Sequence, residues 1–328
     1  MQIEFPAFFD LQVNGFAGVD YNNPQTTTDD ILRSIAALRK TGVTRFLPTL
    51  ITSSLDQFTQ CAQTLVTASV QSPAIAGIHM EGPYLSIEAR GAHPKEHVAT
   101  EASIDDFKRR QESAQGKIRL VTLAPEIPNA LLLIEYLVQK EAGVRVAIGH
   151  TMASPEQIRD AVRAGATLST HLGNGCPPTL PRHPNFIWEQ LASDELHASL
   201  ITDGHHLAPS VVKAMVRAKT PARTILVTDA IAAAGSPPGA YEFNGMKVVL
   251  HPDGRACPPG KPWMAGSALT LDRAVANAVR FTGLPIEEIL PMASVHPAKY
   301  MGIEPAGKVT GEWNPDEYRL TISKVSDT

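Results

Sequence analysis

The chain has 328 residues, 43% of them hydrophobic and 19% charged, enough to bury one large core. Its 29 Lys plus Arg against 33 Asp plus Glu give a net charge of −4, which excludes the basic field expected for nucleic acid or an anionic membrane. The three cysteines, Cys61, Cys176 and Cys257, are odd in number and far apart, arguing against a disulfide framework and for a reducing compartment. With no basic leader after Met1 and no apolar stretch of membrane-spanning length, the expected location is the cytoplasm.

Strand-like and helix-like segments alternate along the chain. Phe8 to Val13 reads as a first strand, and Thr28 to Lys40 as a helix with Ile31, Ile35 and Leu38 on one face and Gly42 placed to stop it. Arg45 to Leu50 is the second strand, and the third ends at Glu81. A loop rich in Gly, His and Pro follows, then a polar helix from Ser103 to Ser113, a fourth strand from Ile118 to Ala124 and a helix from Asn129 to Lys140. The fifth strand ends at His150. The next helix has Ser154 as its cap, Pro155 in the first turn, Gln157 as the capping-box partner and Gly165 after its end. A sixth strand, Ala166 to Thr170, leads into a loop holding Pro177, Pro178, Pro181 and Pro184. Ala198 to Thr202 is strand seven, Pro209 to Ala218 a helix, and Thr224 to Thr228 strand eight.

Eight strand–helix repeats predict an α/β protein, a (β/α)8 TIM barrel rather than an open sheet, spanning 1–328 as one domain. No Gly-x-Gly-x-x-Gly follows the first strand, so no dinucleotide is expected. Tyr241 to Leu250, centred on Asn244-Gly245, reads as a β-hairpin inserted after strand eight, with C-terminal helices and a tail over 267–328.

Four of the apolar runs end on Glu81, His150, His171 and Asp229. In a parallel barrel the C-terminal strand ends meet at one mouth, so these residues would converge despite their distance in sequence. Their oxygen and nitrogen donors suit a borderline divalent metal such as zinc, the signature of a metal-dependent hydrolase.

The strings His79-Met80-Glu81-Gly82-Pro83, Gly149-His150-Thr151, Thr170-His171-Leu172-x-Asn174, Asp203-Gly204-x-His206, Val227-Thr228-Asp229-Ala230 and Gly266-Ser267-Ala268-Leu269 occur in this order. Together they resemble the N-acetylglucosamine-6-phosphate deacetylase family of the amidohydrolase superfamily, from about Phe8 to about Gly302. The resemblance implies hydrolysis of the N-acetyl group of an amino-sugar phosphate. Glu81, His150 and His171 would hold the metal. Asp229 would take a proton from the attacking water and return it to the leaving amine, and His93 would contact the scissile amide. Asn174, Gly175, Arg182 and His206 would hold the sugar phosphate, with Gln12 and Asn14 beside the substrate. In this family the phosphate-binding arginine can reach into a neighbouring subunit, which implies a homodimer.

Two departures from the family pattern matter. Where many amidohydrolases have His-x-His after strand one, this chain has Gln12-Val13-Asn14, so a single divalent ion, zinc, is expected. Family members usually carry β-structure ahead of strand one that joins later strands in a small β-sandwich. Here that accessory domain is expected to be missing or vestigial. Hydrolysis of another N-acyl compound (an N-acetylgalactosamine 6-phosphate or an unphosphorylated N-acyl sugar) is the alternative, and a non-catalytic sugar-binding homologue is a second.

Overall fold

A computed structural model describes residues 1–326. Eight parallel strands pair in sequential order: Phe8–Val13, Val43–Ile51, Ile78–Glu81, Ile118–Leu123, Arg145–Ile148, Leu168–Ser169, His197–Leu200 and Thr224–Leu226. The ring closes through a parallel bridge between Val13 and Ala230. Two backbone bonds reinforce it, Asn14 N–H to Ala230 O at 2.7 Å and Asp229 N–H to Gln12 O at 3.0 Å. Near-continuous burial along the strands, complete in Phe8–Val13, is what a parallel sheet covered by helices requires. The predicted (β/α)8 barrel is the observed architecture.

Local signals placed the helices well. Thr28–Arg39 starts on a capping box of Thr27 with Asp30, and Pro155–Ala164 on one of Ser154 with Gln157. The latter helix ends on Gly165 at φ 116°, the left-handed conformation in which glycine carries no Cβ penalty. Among the described residues, no helix is long and apolar enough to cross a membrane.

The structure corrects the strand ends. Only Glu81 lies within a ladder; pairing stops at Ile148, Ser169 and Leu226, before His150, His171 and Asp229. Each of those three residues instead sits in a left-handed turn, at φ 50°, 28° and 52°.

The C-terminal region differs more. Helices Leu271–Thr282, Ile286–Ala293 and Val295–Met301 are followed by a hairpin, Lys308–Asn314 with Arg319–Ser326, in place of a plain tail. Gln2–Pro6 pairs antiparallel with Lys308–Glu312, giving a three-stranded sheet built from both ends of the chain. Val309, Trp313 and Leu320 anchor that sheet in the main core. The insertion after strand eight is the expected hairpin, Gly239–Phe243 with Met246–Leu250, turning at Asn244 and Gly245 with both φ angles positive. It packs with Ile51, Ile231 and Ala265 in a small cluster beside the barrel mouth.

Candidate metal and catalytic site

Glu81, His150 and His171 come together at the C-terminal mouth, with one donor atom from each lying within 4.8 Å of the others. Glu81 Oε1 stands 2.9 Å from His171 Nε2 and 3.3 Å from His150 Nε2. All three side chains are buried. Although burial opposes it, the two imidazoles beside it, with His171 Nε2 donating to it, hold Glu81 well below the usual carboxylate range. His171 is raised, because the Glu81 bond and charge outweigh the burial that would lower it. Each group thus favours the charged form of the other, and the proton between them holds a place that a divalent cation can take.

The donor set passes a specific test of fit. His150 Nδ1 donates to the Ala89 carbonyl at 2.9 Å, which leaves Nε2 with its lone pair facing Glu81. That Nε2 is buried and makes no hydrogen bond, as expected of a nitrogen that ligates a metal. Gly175 presses against the same ring: a Cβ there would meet His150 Nδ1 at 2.5 Å.

The amides that replace His-x-His act as donors. Gln12 Nε2 bridges Glu81 Oε1 at 3.0 Å and Asp229 Oδ1 at 3.1 Å, and Asn14 Nδ2 donates to Asp229 Oδ1 at 2.7 Å. Burial, followed by the neighbouring Glu81 charge, pushes Asp229 up to about 6. Across the mouth, His93 Nδ1 accepts from the Thr52 backbone N–H at 3.3 Å and lies 2.8 Å from Thr52 Oγ1. Its proton therefore sits on Nε2, which points to the cavity 3.7 Å from Glu81 Oε2. Burial, with His150 close by, lowers His93 to about 3 and keeps it a neutral donor.

Glu81, His93, His150, His171 and Asp229 line a cavity of about 560 Å³ with Asn14, Asn174, Gly175 and His206, and Gln12 lies behind its wall. Asp203 orients His206, accepting from its backbone N–H at 2.8 Å and pairing with Nδ1 at 2.6 Å. His205 turns away to the Asp253 carbonyl. Arg182 is exposed and does not line the cavity of its own chain. Cys176 does line it, but burial raises its thiol, and Gly173 O accepts its S–H, so it is a poor nucleophile. Met80 and Tyr84 are packed in the core.

Sequence reasoning passed over several residues of the site. Phe243, Trp263 and Met264 form part of the cavity wall, and Arg90 lines it with a buried Nε that has no partner. Thr52 and Asp203 orient histidines from neighbouring elements. Only Asp203 carried a signal, its place in the Asp203-Gly204-x-His206 string.

A parallel barrel with a Glu–His–His donor set and a further buried carboxylate at its mouth fits a metal-dependent hydrolase of amide bonds. The sequence matches the Amidohydrolase family over residues 3–316, and the chain belongs to that family. It is 33% identical to an N-acetylglucosamine-6-phosphate deacetylase from Lysinibacillus sphaericus, over 95% of this chain and 79% of that protein. It is 34% identical to an N-acetylgalactosamine-6-phosphate deacetylase from Escherichia coli O157:H7, over 91% and 78%. Its fold superposes with a TM-score of 0.89 and 29% identity on an N-acetyl-D-glucosamine-6-phosphate deacetylase from Mycobacterium smegmatis in complex with N-acetyl-D-glucosamine-6-phosphate, covering 98% of this chain and 86% of that one.

Proposed function

We propose that this enzyme hydrolyses the N-acetyl group of N-acetylglucosamine 6-phosphate to give glucosamine 6-phosphate and acetate. The convergence of Glu81, His150 and His171 with Asp229 and His93 around one cavity carries the reading. Glu81, His150 and His171 would hold one zinc ion, with Gln12 and Asn14 serving as hydrogen-bond donors rather than ligands to a second. When bound, the ion supplies a Lewis acid that polarises the amide carbonyl and acidifies a neighbouring water near neutral pH.

The chain's own groups do the rest. Asp229 is held by Gln12 and Asn14 beside the triad, where its carboxylate accepts the proton of the attacking water. As the carbon–oxygen bond forms, His93 Nε2–H donates to the carbonyl oxygen on which charge develops. Amines leave poorly unless protonated, so Asp229 returns its proton to the nitrogen as the carbon–nitrogen bond breaks. Asn174, Gly175 and His206 line the cavity where they can hold the sugar phosphate. Arg182, exposed on its own chain, would act on the site of a second copy in a cytoplasmic homodimer.

The similarity to the Escherichia coli relative, equal in strength, favours one second reading, the galactosamine epimer. Deacetylase assays on N-acetylglucosamine and N-acetylgalactosamine, each with and without a 6-phosphate, test both. N-acetylglucosamine 6-phosphate should give the highest kcat/KM. A better unphosphorylated substrate would overturn the sugar-phosphate assignment.

A further inference from the structure

Below the site lies a carboxylate that the proposed chemistry does not use. Asp10 is fully buried in the first barrel strand. Its Oδ1 accepts from the backbone N–H of Gln12 at 3.2 Å and of Thr228 at 3.3 Å, and its Oδ2 from Thr228 Oγ1 at 2.6 Å. Thr228 Oγ1 in turn accepts from the backbone N–H of Ala230 at 3.2 Å. One carboxylate thus reaches, directly or through one hydroxyl, the residues on both sides of Asp229 and the strand that carries Gln12.

Asp229 needs such ties. Its φ of 52° is a conformation that a residue with a Cβ adopts only when its surroundings impose it. Its backbone is bonded on both sides, N–H to Gln12 O at 3.0 Å and O from Ser267 N–H at 3.0 Å. Ser267 Oγ adds a bond to Thr228 O at 2.5 Å. Among the described residues, Asp10 forms no ion pair with a cationic side chain. A buried carboxylate satisfied only by neutral donors is costly, so an apolar pair would serve stability better. What this arrangement supplies is direction: three donors from two strands meet one rigid acceptor.

We infer that Asp10 is a positioning residue, fixing the Thr228–Ala230 turn so that the Asp229 carboxylate stands between Gln12, Asn14 and Glu81. The inference rests on the reading that Asp229 transfers the proton.

Three variants test it, each with kcat, KM, bound metal and melting temperature measured on the folded, metal-loaded enzyme. Asp10→Ala removes every tie and should lower kcat roughly tenfold or more, with KM and metal content nearly unchanged. Asp10→Asn keeps an oxygen for both backbone N–H groups. Its amide can donate to Thr228 Oγ1, whose proton can turn to Gln12 O at 3.3 Å. It should restore kcat to within about threefold of the unmodified enzyme. Thr228→Val removes the hydroxyl alone, and if Asp10→Ala fails to fold, this variant decides: a lower kcat at unchanged KM supports the inference, and an unchanged kcat overturns it. Reduced melting temperature with normal kcat per metal-loaded molecule would make Asp10 merely structural and overturn it as well. An Asp10→Asn loss as deep as that of Asp10→Ala would show that charge matters and position does not. Asp229→Asn, run in parallel, separates the two claims, since near-normal turnover there refutes the proton-transfer reading itself.

Discussion

At the scale of single residues, the site turns on which side chains can accept a proton and which can hold a cation. Gln12 and Asn14 give amide nitrogens to Asp229 and Glu81, leaving Glu81, His150 and His171 as the buried donor set. Active protein should therefore contain one equivalent of divalent metal per chain, and elemental analysis returning two would refute a single-ion site. Asp229→Asn should retain that metal and lose kcat by on the order of 10²-fold, because an amide can neither take the water's proton nor return it. As the proposed base, the same carboxylate should set the acid limb of activity. It must be ionised to act as base, and burial and Glu81 lift it to about 6. A bound cation favours the ionised form, so the limb in kcat/KM should fall at or below about pH 6. A loss of activity already under way at pH values above that limb would assign it to another group.

The elements explain where recognition of the sugar can come from. The hairpin Gly239–Phe243 with Met246–Leu250 was legible because Asn244-Gly245 favours the positive φ angles of a tight turn. What it builds was not legible. With the segment after it, the hairpin brings Phe243 and Trp263 to the cavity, and the Trp263 ring is 42% exposed although it lines the pocket. An indole left partly in water in the cavity wall is a surface on which the C–H face of a sugar ring can rest. Trp263→Ala should raise KM for the sugar phosphate by roughly three- to tenfold at unchanged kcat, without lowering the melting temperature. An unchanged KM would leave Trp263 out of recognition.

For the whole molecule the question is how a protein of net charge −4 would hold the dianionic substrate proposed for it. It has no general attraction for phosphate, so a few placed donors must do the work. Arg182 offers a planar fork suited to phosphate oxygens, yet it is exposed and outside the cavity of its own chain. If it serves a second copy, Arg182→Ala should cost about 2–4 kcal/mol in kcat/KM for the 6-phosphorylated sugar and little for the unphosphorylated one. Mixing Arg182→Ala with Asp229→Asn protein should then restore activity beyond the sum of the two, since mixed dimers contain one intact site. Strictly additive activity would place the arginine's effect within its own chain.

Sequence alone determined what depends on neighbours along the chain: the alternation of strands and helices, the capping box at Ser154, the hairpin turn, and the types of residue near each strand end. Those signals are short-range, acting over one turn of helix or one step of a strand. The rest came from contacts between distant residues. Asp10 bonds Thr228 across 218 positions, and Gln2–Pro6 finds its partner strand only at Lys308–Glu312. The left-handed turns at His150, His171 and Asp229 go against the intrinsic preference of those residues. Only closure of the barrel, with the buried bonds it brings to those turns, makes that conformation the stable one.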